Sequence, residues 1–297
     1  MTRLRGTLIA AAAVPLFLIT ACAQTAGNSA AGNQAAGASD SAASAGASPS
    51  GADDLVLRVE SFGGFVPAEQ NIGRIPAVSV YADGRLITQG PTTMIYPGKA
   101  LPNIQEQMLT PEVVQDLVRK GAAAGVRNGA DFGSPNIADA PYTRVVVGDQ
   151  SVNVMALGEA QANDPRLTAA QRDARTKLSS YVTELQSLSS AEGVAKPVQY
   201  QPETLAALAR KYVAPQEANL AGPEKAWPGP ALPGDTLNQN LGIGCVAVTG
   251  AEKDTVWKAA ESATQITPWT SGGAKWGVTF RPLLPEETGC LALKGAR

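Results

Sequence analysis

Ala77-Val78-Ser79-Val80-Tyr81-Ala82-Asp83-Gly84-Arg85-Leu86-Ile87-Thr88 is the stretch on which the fold reading turns. Two runs rich in β-branched and apolar residues flank Asp83-Gly84. That pair accepts the positive φ of a tight two-residue turn, so residues 77–82 and 85–88 read as a β-hairpin. Upstream, Leu55-Val56-Leu57-Arg58-Val59-Glu60 reads as a strand closed by Gly63-Gly64, and downstream residues 104–108 read as another extended piece. Thr110-Pro111-Glu112 then opens a helix, with a hydroxyl at the cap, Pro where no amide bond is lost, and an acid at the positive end. Val113, Val114, Leu117 and Val118 share one helical face, and Gly125 is the stop.

Residues 142–147 and 152–157 form a second candidate hairpin around Gly148-Asp149-Gln150. The longest helix follows. Thr168 and Gln171 make a capping box, and Ala174, Leu178, Tyr181, Val182, Leu185 and Leu188 form the buried stripe. Hairpins with helices on one side give an α+β class, antiparallel sheets with helices packed on one face. This first unit is expected over residues 53–192.

A second small α+β unit is expected over residues 193–297. Residues 198–200 read as extended, while residues 205–213 fit helix or strand equally. Residues 215–235, rich in Pro and Gly, read as loop or linker. Residues 243–249 alternate as a strand, and Thr249 with Glu252 caps a helix whose inner face is Val256, Trp257 and Ala260. Trp276, Val278 and Phe280 alternate against Gly277, Thr279 and Arg281, a half-buried strand stopped by Pro282.

The chain has 297 residues, 44% of them hydrophobic, enough for one or two ordinary cores. A formal charge of −2 without a long basic run leaves no electrostatic footprint for nucleic acid. Histidine is absent, which removes His-based triads and His-containing zinc or haem sites. Three widely separated cysteines do not build a Cys-rich metal site.

The amino terminus carries an address. Arg3 and Arg5 precede an apolar stretch from Leu8 to Ile19 that ends in Ile19-Thr20-Ala21-Cys22. A basic head, a short apolar core and small residues before the cut describe an export signal, residues 1–21. The small-small-Cys ending resembles a bacterial lipobox, in which the Cys22 thiol takes a diacylglycerol and becomes the first mature residue. An uncleaved anchor and plain secretion are the alternatives, although the run from Gly6 to Ala23 contains Pro15 and is short for a membrane span. Residues 23–52 are almost wholly Ala, Gly, Ser, Asn, Gln and Thr, too poor in apolar bulk to offset ordering entropy. With Cys22 they read as a disordered tether, expected to reach roughly 30 Å root-mean-square as a coil. If Cys22 carries lipid, Cys245 and Cys290 remain as a disulfide pair in an oxidising compartment, worth roughly 4 kcal/mol on the chain-entropy estimate.

The search for chemistry returns no catalytic residue, cofactor or metal. Leu241-Gly242-Ile243-Gly244-Cys245-Val246-Ala247 contains a GxGxxA string, but it precedes a strand where a dinucleotide loop must follow one. Gly98-Lys99 lacks the spaced glycine and the hydroxyl of a phosphate loop. Thr255 and Lys258 read as a solvated pair beside Trp257. The adjacent acids Asp53-Asp54 and Glu286-Glu287 are expected to point apart or into water. Scattered Asp139, Asp149 and Asp164 match no calcium-loop spacing. Trp269 and Trp276 flank Thr270-Ser271-Gly272-Gly273, which makes them a candidate recognition surface; the competing reading puts both rings in the core.

Phe62-Gly63-Gly64-Phe65-Val66-Pro67, Tyr81-Ala82-Asp83-Gly84-Arg85, Met155-Ala156-Leu157-Gly158, Thr267-Pro268-Trp269 and Arg281-Pro282-Leu283-Leu284-Pro285 resemble segments of uncharacterised actinobacterial lipoproteins over most of residues 55–290. That group brings no activity. Residues 55–188 resemble more loosely the emfourin-type peptidase inhibitors, through a strand ending in Gly-Gly-Phe at 63–65, a helix from Thr110 and a following hairpin. The Asp83-Gly84 hairpin, the lipid anchor and the added second unit depart from that pattern. The expectation is a non-catalytic binding lipoprotein anchored on the outer face of the bacterial cytoplasmic membrane, with a protein or envelope ligand. The alternatives are inhibition of a secreted peptidase and, behind it, a carboxylate-dependent glycan-acting enzyme.

Overall fold

The computed structural model describes residues 51–160, 163–191, 194–217, 220 and 222–295. The expected signal segment, Cys22 and the tether up to residue 50 lie outside the described residues. The first sheet grows from the Asp83-Gly84 turn. Gly84 takes φ +92°, and Leu109 O lies 2.4 Å from where a Cβ would stand, so conformation and space both demand glycine. This turn joins β2 (Val78–Tyr81) to β3 (Arg85–Gln89). Around the pair assemble β1 (Leu55–Gly63), β4 (Ile104–Met108), β5 (Pro141–Val147), β6 (Gln150–Met155) and the short β7 (Val198–Gln199). The order is β6-β5-β1-β2-β3-β4-β7, every pair antiparallel.

Period-two alternation splits this sheet into two buried faces. Leu57, Val59, Val78, Val80, Leu86, Val145 and Val154 face α2 (Pro111–Ala123) and α3 (Ala169–Ser187), whose Leu117, Leu178, Tyr181 and Leu185 complete an aliphatic core. Tyr81, Ile87 and Ile104 join a second cluster with Ile75, Tyr200 and Leu284. The capping box of α3 is closed in both directions: Gln171 N donates to Thr168 Oγ1 (3.2 Å) and Thr168 N to Gln171 Oε1 (2.9 Å). Thr110 caps α2 by backbone geometry alone, with Pro111 supplying the first turn. Gly125 ends that region at φ +87°. A short α1 (Ala68–Ile72) sits between β1 and β2.

The second sheet has six strands in the order β10-β11-β8-β13-β12-β9. These are β8 (Thr204–Lys211), β9 (Lys225–Ala226), β10 (Asp235–Asn238), β11 (Ile243–Thr249), β12 (Pro268–Ser271) and β13 (Ala274–Pro282). It is mixed, because β9 runs parallel to β12. The ambiguous run after residue 204 is the central strand β8. Leu205, Ala207 and Ala209 pack under α4 (Gly250–Glu261), while Ala206 and Leu208 pack against Ile243, Cys245, Leu283 and Leu293. An alanine-rich sequence suits a helix, yet a strand buried on both faces tolerates it when large rings fill the space alongside. Those rings are Trp227, Trp269 and Phe280, with centroids 5.5–6.2 Å apart. Thr249 precedes α4 with no side-chain cap bond. No helix among the described residues is long and apolar enough to cross a membrane.

Candidate functional site

The two sheets meet through charge. Arg58 projects from β1 and Tyr81 from β2, and both reach Glu286 in the segment after β13: the Arg58 guanidinium bonds one carboxylate oxygen, and Tyr81 OH donates to the other at 2.7 Å. Arg58 Nε also donates to Ser79 Oγ at 3.2 Å. One residue on, Glu287 Oε1 accepts from Arg281 at 2.8 Å and its Oε2 accepts from Leu284 N at 2.7 Å. Tyr200 OH donates to Leu283 O at 2.8 Å beside them. All four carboxylate oxygens of Glu286 and Glu287 therefore accept from the protein itself. The adjacent acids do point apart, as expected, but into two ion pairs and not into water.

Electrostatics follow from burial. Desolvation pulls the Arg58 guanidinium down, and the charge and hydrogen bond of Glu286 outweigh it to leave a net upward shift. Arg281 has a side chain only 2% exposed; burial pulls it down, opposed by Glu287, with like-charged Arg58 adding to the fall. Burial, then the neighbouring Glu286, push the Tyr81 phenol far above its usual range. All four carboxylate oxygens of this clamp are bonded, while the buried Nε of Arg281 has no hydrogen-bond partner.

A groove of about 550 Å³ opens along the edge strand β10, lined by Asp235, Thr236, Leu237, Cys245, Cys290 and Lys294 among others. Cys245 and Cys290 are joined in a disulfide with Cα atoms 6.0 Å apart, fastening the C-terminal 3-10 segment Cys290–Gly295 to β11. The bond fits an extracytoplasmic, oxidising compartment.

The other candidate residues fall as follows. Trp269 is corrected from surface to core: it is 1% exposed, edge-on to Trp227 and Phe280, because β12 pairs with β13 and turns its ring under α4. Trp276, its cross-strand partner, is half-buried against the same cluster, its Nε1 donating to Ser271 O at 3.4 Å. The two rings therefore form no exposed recognition pair. Gly244 serves strand packing, since a Cβ there would lie 2.3 Å from Pro233 O. Lys99 is exposed and forms an isolated bridge with Thr264. Thr255 Oγ1 donates to Ala251 O, one turn back in its own helix. Asp53 pairs with Arg85, Asp149 O accepts from Asn128, and Asp164 Oδ1 accepts from Arg166 N. Among the described residues no three acidic or cysteine side chains gather to hold a metal ion.

The sequence reading missed Arg58, Tyr81 and Arg281 as partners of the two glutamates. Arg58 and Glu286 lie 228 positions apart, beyond the reach of any local pattern. A hint stood in Leu283-Leu284, whose apolar bulk beside the acids marks that segment for burial, and both are nearly inaccessible.

No protein-family model, curated protein or solved structure matches the chain. The site's own geometry is therefore what a functional reading stands on.

Proposed function

We propose that the chain is an exported lipoprotein, acylated at Cys22 and held on the outer face of the bacterial cytoplasmic membrane, that binds an envelope component without catalysing a reaction. The observation that carries this reading is the Cys245–Cys290 disulfide. It takes up the two cysteines that remain once Cys22 is assigned to lipid, and it matches the export signal written in residues 1–21. The non-catalytic part is supported by Glu286 and Glu287, the acids best placed for carboxylate chemistry, whose oxygens are already taken by Arg58, Tyr81, Arg281 and Leu284 N.

The test is metabolic labelling with radioactive palmitate in a bacterial host. Incorporation into the full chain, lost with Cys22→Ser together with membrane retention, is the expected result. Equal retention and processing of both chains would sink the anchor. Turnover of an envelope glycan, abolished by replacing a single acid, would sink the non-catalytic reading.

A further inference from the structure

Strand direction sorts the loops of the first sheet to two poles. The chain enters at Gly51 beside the Asp83-Gly84 turn, where Arg85 pairs with Asp53. At the other pole β1 ends, β3 leaves and β4 begins, with Gln89 opposite Ile104. The poles are separated by the nine residues of β1, roughly 30 Å at the strand rise.

The far pole carries the two most exposed large apolar side chains of the described residues, Met94 and Phe65, and two more beside Met94. In the loop between β3 and β4, Met94 is 101% exposed, Ile95 70% and Tyr96 64%; Phe65, in the loop after β1, is 91% exposed. These side chains stand on a held frame. Asn103 Nδ2 donates to Pro91 O and Gly90 N to Asn103 O at one stem; Ala100 N donates to Ala263 O and Gln265 N to Gly98 O at the other. In the neighbouring loop Val66 N donates to Gly64 O, and Arg74 donates to Ser61 O near the end of β1. Residues 90–103 include one charged side chain, Lys99, and no acid.

A protruding apolar tip gains little on a flat protein face, which cannot close around it, whereas the acyl boundary of a bilayer deforms to fit. Met and Ile suit the acyl side, Tyr the headgroup boundary, and a lysine beside them the anionic surface. Tether length permits the contact. The 28 residues between Cys22 and Gly51 can span up to about 100 Å, so a body anchored at Cys22 can present its far pole to the same membrane. We propose that the tip formed by Met94, Ile95 and Tyr96 inserts into the lipid surface. It is a second membrane contact that lays the anchored body down and orients the groove and the inter-sheet clamp. This inference rests on the acylated, exported reading above and names the membrane as one ligand of that body.

The experiment uses the acylated full chain carrying Thr93→Cys, the one free thiol when Cys22 is acylated and Cys245–Cys290 is oxidised. It is labelled with an environment-sensitive nitrobenzoxadiazole dye and reconstituted on vesicles of phosphatidylglycerol and phosphatidylethanolamine. The expected result is emission raised several-fold and quenched by doxyl-labelled lipid, with both effects lost on adding Met94→Asp and Ile95→Asp while the protein still floats with the vesicles. Aqueous emission from vesicle-bound protein overturns the insertion and leaves the anchor intact. Failure of the protein to float overturns the anchor itself. Shielding that appears without vesicles and grows with protein concentration assigns the tip to a second copy of the chain and likewise overturns the proposal.

Discussion

The two sheets solve the same packing problem with different materials. The seven-stranded sheet buries Val and Leu beneath two helices, and its load is spread over more than a dozen aliphatic side chains. The six-stranded sheet has one helix and an alanine-rich central strand, and it concentrates burial in Trp227, Trp269 and Phe280. Small side chains on β8 are what admit those rings, so the second sheet rests on fewer, larger contacts. It also carries the disulfide, whereas a buried arginine is common to both halves, Arg175 on α3 and Arg281 on β13. The difference teaches that a sheet short of helical cover draws on rings and covalent closure in place of aliphatic volume.

The sharpest way to break the comparison is Trp269→Ala. Removing a fully buried indole is expected to cost about 3–5 kcal/mol of unfolding free energy in urea, against about 2–4 for Leu178→Ala in the aliphatic core. Equal losses would mean that the aromatic cluster is no more concentrated than the other core. Next comes Glu287→Ala, which strands Arg281 in the interior at about 3 kcal/mol; pairing Arg281→Met with Glu287→Leu is expected to recover most of it, read from the same denaturant midpoints. Replacing Cys290 with Ser follows at about 2–4 kcal/mol, with earlier proteolysis of the C-terminal segment in a limited-digestion time course. Smallest is the capping contrast. Thr168→Ala, which opens a closed box, is expected to cost about 1 kcal/mol, while Thr249→Ala, where no side-chain bond exists, stays within about 0.5 by thermal melting.

Local chemistry was legible in the sequence where a single turn of chain decides the outcome. Asp83-Gly84 gave the hairpin, Thr168 with Gln171 the helix start, and cysteine arithmetic the disulfide. What depended on partners distant in the chain was not. Residues 205–213 stayed ambiguous because alanine favours helix locally, while the neighbours that hold β8 extended are β11 and β13 far downstream. Trp269 looked exposable because Thr270-Ser271-Gly272-Gly273 follows it, yet its fate is set by α4 and by Trp227. Arg281 alternates with Phe280 just as a solvated residue would; its cross-strand partner Ala206 packs against Leu283 and Leu293 further down the chain, and Glu287 there supplies its counter-charge. Met94, Ile95 and Tyr96 formed no motif in the sequence, and their exposure is a property of the assembled loops.

The strand order of the second sheet also dictates a timetable. β8 lies in its interior with β11 on one flank and β13 on the other, and both are encoded after it. While the polypeptide emerges from its amino end, β8 waits with both hydrogen-bonding edges open until residue 243 arrives, and with one still open until residue 274. A segment reading Leu-Ala-Ala-Leu-Ala is thus open to sticking during this molecule's biogenesis until those two strands arrive.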